Sequence, residues 1–186
     1  MGSLDQYNDI ELYELLKSDK KTAEAAFAIL YQRHSPRIYA YCRRFLGNKD
    51  DAQDVFQETF VRFLETTSQN RVMTNVPAFL LKITRNLCVN VKRKERNPIT
   101  FEDYMVSDDS GNENDELLKL IKMAMDILPD EYRDIFLLRE YDGLTYQEIA
   151  DVMNSSLATV KIRLFRAKQR IREILTPYLA DLHKYQ

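Results

Sequence analysis

Apolar residues recur along most of this chain at intervals of three and four, the spacing of one helix face, and no stretch alternates as a half-buried strand does. Leu12, Leu15 and Leu16 predict a short first helix. Phe27, Leu30 and Tyr31, then Ile38, Tyr41, Cys42 and Phe45, predict one or two more, broken near Pro36 and closed by Gly47. Asp50 or Asp51 is placed to cap the next helix, whose apolar stripe is Ala52, Val55, Phe56, Phe60, Phe63 and Leu64. Residues 66–76 read as a polar loop. Pro77 suits a first helical position, and Phe79, Leu80, Ile83, Leu87 and Val91 carry the helix that follows.

The pattern then stops. Residues 97–115 are acidic and punctuated by turn formers, the composition of a flexible linker. Periodicity resumes with Leu117, Leu118, Ile121 and Met125; Pro129 opens another helix carrying Tyr132, Ile135, Phe136 and Leu138. Asp142-Gly143 makes a turn, and Thr145 with Glu148 three residues on forms a capping box. The expected fold is all-α: two small helical domains, 1–97 and 117–186, joined by an acidic tether over 98–116.

Composition narrows the class. The chain has 186 residues with a formal net charge of -2, and no apolar run approaches the ~18 residues of a membrane span. The first residues lack a basic stretch followed by an apolar one, so no signal peptide is expected. Cys42 and Cys88 stand singly inside helical patterns and are expected as small core residues, in a cytoplasmic protein. His34 and His183 are isolated and are expected to be solvated or capping, so neither a metal site nor a cofactor is expected.

The near-neutral total conceals segregation. Lys82, Arg85, Lys92, Arg93, Lys94 and Arg96 stand against the single acid Glu95. Lys161, Arg163, Arg166, Lys168, Arg170 and Arg172 form a second basic run with no acid among them. Fields act within a Debye length of roughly 8 Å, so local density outweighs net charge where phosphates are bound.

The densest constellation lies at residues 145–172. Ile149, Ala150 and Val152 or Met153 give a short helix its buried face, Asn154-Ser155-Ser156 turns and caps, and Val160, Leu164, Ala167 and Ile171 share one face of a second helix. Lys161, Ile162, Phe165 and Arg166 are thrown outwards. Cations for phosphates and guanine edges, with apolar groups for thymine methyls, suit a helix-turn-helix entering a major groove. The same spacing also suits an αα-hairpin that buries Ile162 and Phe165 against a protein.

The motifs in this half resemble those of bacterial sigma factors of the extracytoplasmic-function (ECF) group. They are Leu128-Pro129, Tyr132-Arg133, Glu148-Ile149-Ala150, Thr159-Val160-Lys161 and Arg163-Leu164-Phe165-Arg166-Ala167. Leu157-Ala158 and Ile162 depart from that family, which commonly has Glu-Gly and Ser there. The resemblance implies a C-terminal four-helix domain that reads the minus-thirty-five promoter element through Ser156, Thr159, Lys161, Ile162, Phe165 and Arg166.

The other half resembles the same family. Asp54-Val55-Phe56-Gln57-Glu58-Thr59-Phe60 is similar to its N-terminal motif, and Asp54, Gln57 and Glu58 fall on one helix face at i, i+3 and i+4. By resemblance these three, with Arg62, meet the clamp helices of the RNA polymerase largest subunit. Ala78-Phe79-Leu80 and Arg85-Asn86-Leu87 match its minus-ten helix, which implies DNA contacts from Asn75, Lys82, Arg85, Asn86, Asn90 and Arg93. Cations holding the backbone while aromatic and amide groups receive an unstacked base is the chemistry that promoter melting needs.

The function so implied is that of a sigma factor which binds core RNA polymerase, through clamp helices and flap, and opens promoter DNA. The resemblance also implies a monomer, no catalysis and an anti-sigma partner. The alternative is a helix-turn-helix regulator that binds DNA without polymerase; Asp54, Gln57 and Glu58 discriminate, since such a regulator has no need to present them.

Overall fold

The computed structural model describes residues 4–69, 72–94, 120–121 and 123–182; the acidic segment 98–116 and His183 lie outside them. The chain separates into two compact units, 1–95 and, for the most part, 96–186. Every regular element among the described residues is helical.

In the N-terminal unit, α1 (Asp9–Leu15) opens on a capping box: the Asn8 side chain accepts from the amides of Ile10 and Glu11, while Glu11 accepts from the Asn8 amide at 2.7 Å. A long helix α2 (Lys20–Leu46) follows, then α3 (Lys49–Glu65), a 3-10 turn over Thr66–Gln69, and α4 (Val76–Lys94). Their shared core contains Leu12, Tyr13, Leu30, Ile38, Tyr41, Phe45, Phe63, Leu80 and Leu81. Tyr31 and Phe60 meet at 4.7 Å between ring centroids, and Phe56 and Phe60 at 5.4 Å. Cys42 and Cys88 are buried free thiols in this core. Thr59 and Thr84 keep their buried hydroxyls satisfied by donating to the carbonyls of Val55 and Leu80.

Several expectations need correction here. Pro36 does not break α2, which runs through it without interruption. An interior proline costs about 3 kcal/mol. Keeping Leu30, Ile38, Tyr41 and Phe45 on one buried face outweighs that, at roughly 1.5–3 kcal/mol for each side chain. The cap of α3 is Asn48, which accepts from the amides of Asp50 and Asp51; the two acids occupy the first turn, beside the positive end of the helix dipole. Leu64 is exposed rather than part of the buried stripe. In α4 the core face is Leu80, Leu81, Thr84, Leu87 and Cys88, leaving Phe79, Ile83 and Val91 only partly covered. His34 is buried, not solvated: its Nε2 lies 2.7 Å from Asp9 Oδ2, and Arg33 donates to the other Asp9 oxygen at 2.9 Å.

The C-terminal unit begins with helical turns at 120–121 and 123–127 (together α5), followed by α6 (Asp130–Phe136), which continues as a π-helical turn over Leu137–Tyr141. Gly143, at φ 66°, makes the turn that a side chain would disfavour. Then come α7 (Tyr146–Met153) and the long α8 (Leu157–Leu182). Ala124, Leu128, Ile171 and Leu175 form the base of the core, with Tyr132, Phe136 and Ile174 packed against them. Arg133 is only 6% exposed, and its guanidinium donates to the carbonyls of Met125, Asp126 and Leu128, tying the end of α5 to α6.

Candidate nucleic-acid interface

The start of α7 carries the expected box, with the Thr145 amide donating to Glu148 at 2.8 Å and the Glu148 amide to Thr145 Oγ1 at 3.2 Å. Arg139 lies over the Tyr146 ring at 4.8 Å and donates to the Leu144 carbonyl at 2.7 Å, fixing the approach to this helix. Asn154 turns the chain at φ 48°, a left-handed value that asparagine tolerates, and the Ser155 amide closes on the Ala150 carbonyl at 2.9 Å. Ser156 then caps α8: its Oγ accepts from the Thr159 amide at 3.1 Å and lies 2.8 Å from Thr159 Oγ1. Ser156 and Thr159, both expected as promoter contacts, therefore also hold the start of their own helix.

Along α8, Val160, Leu164, Ala167 and Ile171 are buried, as their spacing requires. Lys161, Ile162, Phe165 and Arg166 are exposed together on the outer side. Two further cations have partners that the sequence does not announce: Arg163 is held by Glu131 and Lys168 by Glu140, each at 2.7 Å. These pairs join α8 to the α6 segment, and no local signal marks them because the partners lie more than twenty residues apart.

In α4 the candidate DNA residues lie opposite the core. At ~100° per residue, Asn75, Lys82, Asn86 and Arg93 fall within about 40° of one another, with Arg85 and Asn90 on the flanks. Asn86, Asn90 and Arg93 are exposed, while Asn75, Lys82 and Arg85 are half-buried. Asn75 also caps the helix, accepting from the Ala78 amide at 2.9 Å, which places Val76 ahead of Pro77 as its first residue. Arg85 donates to the Asn86 side chain at 3.3 Å.

On α3, Asp54 and Gln57 are exposed and Glu58 is partly covered. Glu58 accepts from Arg62 Nε at 2.6 Å, a pair within one turn whose side chains are half in water and which contributes little to stability. Val61, 52% exposed, stands on the same face between Asp54 and Gln57 in angle. It was not among the residues expected there. Its signal is a valine four residues after Gln57, out of step with the buried stripe.

Among the described residues no cluster of His, Cys, Asp or Glu is placed to hold a metal ion, and no helix is long and apolar enough to cross a membrane.

A turn-linked helix pair with a cationic outer face, in a chain that carries a second polar helix on a separate unit, defines a DNA-binding helix-turn-helix protein of two parts. Comparison with known proteins narrows the class. Residues 30–97 match the model of sigma-70 region 2, and residues 118–171 that of sigma-70 region 4. The ECF RNA polymerase sigma factor SigE of Mycolicibacterium smegmatis is 30% identical over 202 residues, covering 97% of this chain and 77% of that protein. The RNA polymerase sigma-H factor of Pseudomonas aeruginosa is 30% identical, with 96% of this chain and 99% of that protein covered. The fold is shared with the sigma factor RpoE of Bartonella quintana, solved in complex with the anti-sigma factor NepR, at TM-score 0.64 and 22% identity over 81% of this chain and 96% of that one. The chain belongs to the ECF sigma factors of the sigma-70 family. Matches in both halves, and not in the helix-turn-helix alone, set aside the polymerase-independent regulator.

Proposed function

We propose that this sigma factor, which directs core RNA polymerase to promoters and supports their opening, divides the work between its units. Asp54, Gln57, Glu58 and Arg62, with Val61 among them, meet the clamp helices of the polymerase largest subunit. Asn75, Lys82, Arg85, Asn86, Asn90 and Arg93 engage the minus-ten element, and Ser156, Thr159, Lys161, Ile162, Phe165 and Arg166 the minus-thirty-five element. The protein works in the cytoplasm, without catalysis of its own, and is held by an anti-sigma factor until needed, as the Bartonella protein is seen bound to one.

The observation that carries this reading is the pairing of exposed faces with the two matched regions: a mixed polar and apolar face on α3 and a cationic face on α8, neither required by its own core. The double variant Gln57→Ala, Glu58→Ala tests the first assignment. Exposed substitutions usually change stability by less than ~0.5 kcal/mol, so its melting should match that of wild type. Its affinity for core polymerase, measured by competition, should fall severalfold or more; a folded variant that competes undiminished overturns the α3 assignment.

A further inference from the structure

The cations of α8 differ in their partners, and Arg170 lies 3.8 Å from Glu173 on the same helix. Arg163 and Lys168 are neutralised by Glu131 and Glu140 of the same unit. Lys161 and Arg166 enter no hydrogen bond or ion pair among the described residues. Between these two unpaired cations stand Ile162, 52% exposed, and Phe165, 69% exposed. The neighbouring Val160, Leu164 and Ala167 are buried, so the two exposed side chains forgo a burial that the same helix gives its inward apolar positions.

What covers such a pair is constrained by its flanks. Unpaired cations on either side draw a polyanion and disfavour a dry protein interface, where charge is depleted. In the major groove of a duplex the apolar feature on a base edge is the C5-methyl of thymine. Residues three apart on a helix rise by about 4.5 Å, and base pairs follow one another at about 3.4 Å. The two side chains therefore reach neighbouring base pairs and not the same one.

We infer that Ile162 and Phe165 read the methyl groups of thymines on adjacent base pairs of the upstream promoter element, with Ile162 setting a letter that a polar residue at this position would not select. The inference rests on the assignment of α8 to duplex reading. Lys161 and Arg166 draw the helix onto the duplex, Arg166 with a base edge of its own within reach; the apolar pair supplies the preference for A·T pairs at its two positions.

The experiment uses holoenzyme reconstituted from core polymerase and the full-length protein. An upstream element is first selected from a randomised library. Each thymine of the selected element is then replaced in turn by uracil, which removes one methyl and leaves base pairing intact. Wild type should lose roughly fourfold in affinity at each of two adjacent positions, the value of one buried methyl-sized group. With Ile162→Ser the loss at one of those positions should vanish, and with Phe165→Ala the loss at the other, while melting of both variants stays at the wild-type value. Wild type that selects a sequence yet binds thymine and uracil promoters equally overturns the methyl reader alone. Wild type that selects no upstream sequence overturns the assignment of α8, and this inference with it.

Discussion

Helices α4 and α8 both turn cations outwards, yet their outer faces differ in kind. On α4 the outer residues are amides and cations, Asn86, Asn90, Arg93 and Lys94, and no large apolar side chain is exposed. On α8 the cations surround exposed Ile162 and Phe165. Amides and cations can bond a base edge or a phosphate in any geometry that brings it near, which suits a strand pulled out of its duplex. An apolar pair at fixed spacing has value only against a partner of fixed spacing, which a paired duplex provides. Two basic helices of similar charge are thus suited to two states of the same DNA.

The largest expected effect separates the units by stability. Arg133→Ala leaves the carbonyls of Met125, Asp126 and Leu128 without their shared donor, which should destabilise the C-terminal unit by about 3 kcal/mol. Hydrogen exchange under increasing denaturant should show α6 to α8 opening early while α2 to α4 keep wild-type protection; unchanged protection of α6 would remove Arg133 from that role.

Next comes the quality of the DNA contact. Arg166→Ala should cost about 1–3 kcal/mol on the preferred promoter and relax selection at one base pair. Arg93→Ala on α4 should instead weaken all promoters to a similar extent and lower the salt slope by about one. A selected library in which Arg93→Ala changes the preferred bases, and Arg166→Ala does not, would reverse the comparison.

The helix starts give a smaller contrast. Asn48→Ala at α3 and Ser156→Ala at α8 should each cost about 1 kcal/mol of stability through a lost cap. If Ser156 also touches promoter DNA, Ser156→Ala changes base preference as well as melting. An unchanged preference leaves it a cap only.

The smallest effect is one of pH. Hydrogen bonds from the Thr22 hydroxyl and amide, and from the Lys21 amide, hold the Asp19 carboxyl below its ordinary range. A carboxyl lowered on folding stabilises the fold above its unfolded pKa and loses that contribution as pH falls through the folded value. Asp19→Asn, which keeps a cap but cannot titrate, should flatten the acid side of the N-terminal unit's stability profile slightly. Superimposed profiles would show that the exposed Asp19 adds nothing measurable.

Local chemistry was enough to determine most helices, because a helical face and its caps depend on residues no more than four apart. The box of Thr145 and Glu148, the turns at Gly47 and Gly143, and the inward set Val160, Leu164, Ala167 and Ile171 with its outward counterpart all follow from spacing. Tertiary structure decided what depends on a distant partner. Pro36 was carried inside a continuous helix by the core on either side of it, and His34 was buried against Asp9, twenty-five residues earlier. The inner face of α4 rotated from Phe79 and Ile83 towards Leu81, Thr84 and Cys88. The same holds for the cations of α8: spacing announces a partner only for Arg170, with Glu173 three residues on, and it is Glu131 and Glu140, brought in by the fold, that hold Arg163 and Lys168 while Lys161 and Arg166 stay unpaired among the described residues. Charge type is local, but neutralisation requires a neighbour in space.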